Sequence, residues 1–153
     1  MKKLIRQPAR LLLVVALVVA AAAHVPVIGP HLDEAPYMGV LFILFTTACL
    51  LLAVVSLVSS HPAGPTLAGL VCGTAITCYA ATRLVAFPML ADDVGNWLEP
   101  MGVVSVLSEG IVVGVAGRLW ASGRNAAPDQ RIGEVARPLA GRHRPGRDRR
   151  VPS

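Results

Sequence analysis

The stretch VVSVLSEGIVVGV, residues 103–115, holds one charged residue, Glu109, in an otherwise apolar run. A second isolated charge, Arg83, lies inside another apolar run, 66–87. A charge at bilayer depth costs at least about 2.5 kcal/mol on insertion scales, so such groups pair with one another or face a water-filled cavity. If the last run begins at Met101, Glu109 lies about 12 Å from its outer end at 1.5 Å per residue; if the third run reaches its loop at Leu90, Arg83 is about 10 Å deep. Opposite signs at nearly matching levels on consecutive antiparallel helices predict a Glu109–Arg83 ion pair.

Other polar residues reach the same level. His24 is about 9 Å from Pro30 along the first run, and Thr46 and Thr47 are about 12 Å from Met38 along the second. Tyr79 lies one helical turn from Arg83 on the same face. Beyond them come His31, Asp33, Glu34, Tyr37, Asp92, Asp93, Trp97 and Glu99. This convergence predicts a polar, charged pocket in the outer third of a helical bundle. Arg83, Glu109, His24, Thr46, Tyr79, Tyr37 and Trp97 are its candidate ligand-binding residues. The ligand would be a small polar solute, a lipid headgroup or a cation. His24, His31, Asp33 and Glu34 are the candidate metal ligands, since imidazole and carboxylate suit divalent transition ions, although their spacing matches no established metal motif. Plainer roles compete: His24 capping a helix distortion at Pro26, Tyr37 and Trp97 as interfacial anchors, solvated acidic loops, and a purely structural Arg83–Glu109 pair.

The elements that must position these residues follow from hydropathy. Of 153 residues, 54% are hydrophobic and 15% charged, against about 25% charged in a soluble domain. Four apolar runs, 11–28, 38–58, 66–87 and 101–121, are each near the ~20 residues that span a bilayer. Lipid-exposed backbone must satisfy its own hydrogen bonds, so the expected fold is all-α: a polytopic membrane protein of four transmembrane helices arranged as two helical hairpins. The basic start MKKLIRQPAR and the small residues Ala21–Ala23 resemble a secretory signal cleaved near residue 23, but apolar character continues through HVPVIG to spanning length, so the first run is expected to stay as a helix. Cys49, Cys72 and Cys78 form no CxxC pair and read as small core residues.

Charge placement orients the chain. Lys2, Lys3, Arg6 and Arg10 precede the first run, and nine arginines occupy 118–150, whereas the loops GPHLDEAPY and ADDVGNWLEP hold no Lys or Arg. Positive residues stay inside, so both termini are expected in the cytoplasm of a plasma (inner) membrane protein, with SSHPAGP as a tight cytoplasmic turn. The transmembrane domain would occupy 1–121. Residues 122–153, rich in Arg, Gly and Pro, read as a basic disordered tail that contacts anionic lipid headgroups. No aromatic interleaves its arginines, which disfavours nucleic acid.

EAPYMGVLF (34–42) and EPMGVVS (99–105) form a faint repeat, with Thr46 standing where Glu109 stands in the second copy. PHLDEAPYMGVLF and DDVGNWLEPMGVVS also resemble signature stretches of uncharacterised small four-helix integral membrane proteins of high-GC Gram-positive bacteria. The resemblance covers roughly residues 10–120 and implies fold and location, with no activity. Gly69–Gly73 and Gly110–Gly114 have GxxxG spacing, which suits close helix packing.

No nucleophile elbow, HExxH, CxxC or P-loop is present, so an enzyme is disfavoured. Only His24 lies within a run, which disfavours bis-histidine haem, and no cofactor is expected. The alternative function is a structural or regulatory subunit packed against a larger membrane partner, or a homo-oligomer.

Overall fold

The computed structural model describes residues 2–124. It is all-α: α1 spans Lys2–Glu34, α2 Pro36–Val58, α3 Ala63–Leu84 and α4 Pro100–Arg124, with one 3-10 turn, Ala91–Asp93, between α3 and α4. All four helices are long and apolar enough to cross a membrane. The expected tail lies outside the described residues from Asn125 onward, and so do its proposed lipid contacts.

The helix ends differ from expectation at two places that matter for the site. A loop was expected over GPHLDEAPY. Instead α1 runs through Pro26 and Pro30 to Glu34, and a single non-helical residue, Ala35, joins it to α2. Ala35 is non-helical (φ −138°, ψ 79°) because a residue before proline is pushed out of the α region. Pro36 then opens α2, at a position where a missing N–H costs nothing. Ala35 is fully buried, donates to the His31 carbonyl at 2.9 Å and accepts from Met38 N at 2.8 Å.

The second difference is at α3, which ends at Leu84 and not at residue 87. Pro88 again explains it, since Phe87 before it disfavours helix, and Val85 is already extended. The chain then turns back over the end of α3. Met89 (φ 64°) and Gly95 (φ 81°) take left-handed conformations, and Gly95 N donates to the Arg83 carbonyl at 3.0 Å. One of the carbonyls that a helix end leaves without an internal partner is thereby satisfied.

The core is built from small and medium side chains of all four helices, among them Leu13, Leu17, Cys49, Ala68, Cys72 and Val112. In lipid, such helices associate by close van der Waals packing, which small residues permit. Gly69 does this on α3, since a Cβ there would lie 2.9 Å from Ala116 Cβ on α4. Gly73 faces Val113 at a looser 3.9 Å, and Gly110 and Gly114 have nothing within 4 Å. Only the α3 glycine pair therefore makes an internal helix contact. Cys49 and Cys72 are buried side by side, but Cys78 is exposed, contrary to its expected core position.

The repeated Met-Gly-Val has a matching role in both copies. A Cβ on Gly39 would lie 2.6 Å from the Leu32 side chain of α1, and one on Gly102 would lie 2.6 Å from the Tyr79 ring of α3. In each case the glycine, near the start of a helix, lets a large side chain of the preceding helix cross against it.

Candidate functional site

A cavity of about 650 Å³ is lined by all four helices and by the 85–99 segment. That volume falls within the ~300–1,000 Å³ usual for small-ligand sites. Its walls are mostly apolar. Arg83, Asp93 and Glu99 line it where the 85–99 segment crosses α3, and His24, Ser105 and Glu109 line it farther along the helices. Of the seven predicted ligand-binding residues, Arg83, Glu109, His24, Tyr79 and Tyr37 line it, and Thr46 and Trp97 do not.

The predicted Arg83–Glu109 pair does not form. Arg83 pairs with Asp93, Nη1 to Oδ1 at 2.6 Å. The same nitrogen donates to the Asp93 carbonyl at 3.2 Å, and the guanidinium stacks 4.6 Å from the Tyr79 ring centroid. The reason is the early end of α3. Arg83 sits in its last turn, where the negative end of the helix dipole favours a cation and the returning segment delivers Asp93. Glu109, nine residues into α4 from Pro100, lies about 14 Å along that helix. The two charges do not share a level.

Glu109 is 2% exposed. Its Oε1 accepts a 2.8 Å hydrogen bond from Ser105 Oγ, one turn earlier on α4. Among the described residues no Lys, Arg or His lies within ion-pair distance of it. Ser105 Oγ is also 3.3 Å from His24 Nδ1, which is itself 2.9 Å from the Ala20 carbonyl. The serine's one proton goes to Glu109 and a carbonyl can only accept, so both contacts require His24 to carry its proton on Nδ1. His24, Ser105 and Glu109 thus form one hydrogen-bonded chain from α1 to α4. Phe42 and Phe45 hold the imidazole, with ring centroids at 5.1 and 4.6 Å.

The capping role considered for His24 is not what the structure has. Pro26 removes the partner of the residue 22 carbonyl and Pro30 that of residue 26. His24 bonds the carbonyl of residue 20 instead, and His31 that of Val27 at 2.8 Å. Both rings are turned toward Phe42.

Tyr79 organises the other side. Its hydroxyl donates to the Trp97 carbonyl at 3.0 Å, its ring meets Trp97 edge-on at 6.4 Å, and the absence of a side chain on Gly102 makes room for it. Tyr37 donates to the Pro88 carbonyl at 2.7 Å. Trp97 therefore braces the 85–99 segment through its backbone without reaching the cavity. Thr46, at the repeat position equivalent to Glu109, is half-buried, and its hydroxyl oxygen is buried without a partner. Among the metal candidates, His24 and His31 line the cavity but Asp33 and Glu34 do not, lying exposed at the end of α1. Among the described residues no three His, Cys, Asp or Glu groups are placed to hold a metal ion.

Sequence reasoning leaves three residues out of the candidate set, although it names Asp93 and Glu99 among the polar residues beyond it. Ser105 precedes Glu109 by four positions, a same-face spacing that was available as a signal. Glu99 caps α4, accepting from Met101 N at 3.1 Å and Gly102 N at 2.6 Å, and the Glu-Pro dipeptide before an apolar run announced a helix start. Asp93 was seen only as a loop charge, and nothing local marked it as the partner of Arg83.

No family model matches the chain, and no curated protein or solved structure matches it either.

Proposed function

We propose that this is a multi-pass plasma-membrane protein that binds a small ligand in the four-helix cavity, whose charged end faces the extracytoplasmic side, with both termini cytoplasmic and the helices arranged as two hairpins. The observation that carries the reading is the cavity itself: about 650 Å³ of space with five of the seven predicted residues on its wall. The orientation rests on charge. Lys2, Lys3, Arg6 and Arg10 lie at one end of α1 and Arg118 and Arg124 at one end of α4, while residues 30–37 and 85–99 hold no Lys or Arg, which fits retention of positive ends inside. The equivalent positions of Gly39 and Gly102 support two related hairpins.

A second reading, a structural or regulatory subunit of a larger membrane assembly, is favoured by Gly110, Gly114 and Gly117. They are exposed on α4 with open space at their Cβ positions, a surface on which another helix can pack closely. Cysteine labelling tests the first reading. After the native cysteines are replaced by alanine, Asp33→Cys and Asn96→Cys should react with a membrane-impermeant maleimide on intact cells, and Ser60→Cys only after permeabilisation. The reverse pattern would overturn the orientation. Co-purification of a stoichiometric partner whose loss follows Gly114→Leu would favour the second reading.

A further inference from the structure

We infer that the cavity takes a lipophilic organic cation, with Glu109 as its counter-charge and the bilayer as its route of entry. This rests on the cavity reading above and specifies its ligand. Four groups of fixed formal charge line the cavity: Arg83, Asp93, Glu99 and Glu109. Arg83 and Asp93 neutralise each other at 2.6 Å. Glu99 is held by two backbone N–H groups at the start of α4, the positive end of that helix dipole. Of the three carboxylates on the wall, Glu109 is the one that has neither an ion pair nor a backbone N–H donor among the described residues, and a serine hydroxyl is its one hydrogen-bond partner there. Buried carboxylates are normally paired. The remaining surroundings are mostly rings and aliphatic groups, Phe42 and Phe45 among them, which suit the hydrocarbon body of an amphiphilic ammonium or phosphonium ion and the cation–π attraction of aromatic faces. An anionic or small, strongly hydrated ligand gains little from such walls.

The entry route follows from which wall residues are exposed. α2 and α3 touch near their connection, where Gly64 lies against Val55 and Ser56. Further along, the cavity lies between Leu41 and Leu44 on α2 and Thr74 and Cys78 on α3, and all four are exposed as well as lining it. This slit faces outward from the helix pair, toward the acyl chains in a membrane. A cation that partitions into lipid meets the site from the side.

The test compares two ions of the same shape and opposite charge, tetraphenylphosphonium and tetraphenylborate, on the full chain in non-ionic detergent. Calorimetry should show saturable binding of the phosphonium ion and none of the borate. The phosphonium ion should also slow alkylation of the native Cys78 by N-ethylmaleimide. Glu109→Gln, which keeps an acceptor for Ser105, should weaken phosphonium binding roughly thirtyfold or more, the low end of what losing a buried charge partner costs. Asp92→Asn, which removes an exposed carboxylate outside the cavity, should leave it unchanged. The isostere comparison needs no variant, so misfolding of Glu109→Gln does not blunt it. Equal binding of both ions, or phosphonium binding indifferent to Glu109→Gln, would overturn the inference. If neither ion binds but a lipid retained through purification shields Cys78, the counter-charge role falls and the cavity reading stands. If nothing is retained and nothing alters Cys78 alkylation, both fall.

Discussion

Replacing Asp93 with asparagine leaves the Arg83 guanidinium with the Asp93 carbonyl and the Tyr79 ring but no counter-charge. Arg83 is 7% exposed and Asp93 26%. Breaking a fully buried ion pair costs about 3–5 kcal/mol. Water reaches part of Asp93, so Asp93→Asn should cost about 2–3 kcal/mol, within the range for charge-assisted hydrogen bonds to a buried group. Arg83→Gln loses the pair, the carbonyl contact and a cation–π contact worth about 1–2 kcal/mol, and strands Asp93 in turn, so about 3–5 kcal/mol is expected. The double variant strands no charge. It should cost only about as much as Arg83→Gln alone, which gives a coupling of roughly 2 kcal/mol.

The informative comparison is a second cycle, Arg83→Gln with Glu109→Gln. These side chains share no bond in the structure, so their costs should add within about 0.5 kcal/mol. Both cycles are read from reversible unfolding in mixed micelles, followed by the fluorescence of Trp97 and Trp120. Additive losses at Arg83 and Asp93, or a coupling above about 1 kcal/mol between Arg83 and Glu109, would refute the pairing described above and return the site to a single buried pair.

Gly102→Ala puts a Cβ 2.6 Å from the Tyr79 ring and 2.9 Å from Glu99 Oε2; it should destabilise by about 1–3 kcal/mol in the same assay. Gly110→Ala, with nothing within 4 Å of its Cβ position, should be neutral or stabilise by up to about 1 kcal/mol through helix propensity. Ser105→Ala removes the one hydrogen bond to Glu109 and should cost about 1–3 kcal/mol, because it leaves a buried acceptor unsatisfied. The Ser105→Ala/Glu109→Leu pair, in which each single variant removes the bond, should be non-additive, and a strictly additive result would break the Ser105–Glu109 link.

The four helices were legible because spanning a bilayer demands long apolar stretches and nothing else in the chain competes with that signal. Their ends were not, and the error in the site came from the ends. Hydropathy extended the third run through Val85, Ala86 and Phe87, whereas the backbone stops at Leu84 because Pro88 constrains what precedes it. Placing Arg83 well inside the helix gives it nearly the same depth as Glu109 and produces a pair that does not form. The opposite error occurred at α1. Pro30 and the acidic Asp33 and Glu34 read as loop, yet the helix continues through them. That lengthening turns His24 and His31, seven residues apart and so nearly two turns along one face, toward the same Phe42.

The polar cluster was foreseeable as a group but not as a set of bonds. Residue type and depth gathered Arg83, Glu109, His24, Tyr79 and Tyr37, and these line one cavity. Partner choice depended on the 85–99 segment, whose path is set by left-handed turns at Met89 and Gly95 that no periodicity encodes. The consequence for chemistry is a division of labour between two ends of the same wall. Arg83, Asp93, Tyr79 and Trp97 bind one another and fasten the segment over α3. Glu109 takes no part in that fastening. A carboxylate kept at 2% exposure without an ionic partner among the described residues is not explained by holding helices together, since one serine bond offsets little of the several kcal/mol that removing such a charge from water costs. A glutamine would accept the same serine bond without that penalty. What glutamine lacks is the capacity to carry a charge, and that capacity is what the inferred cation would use.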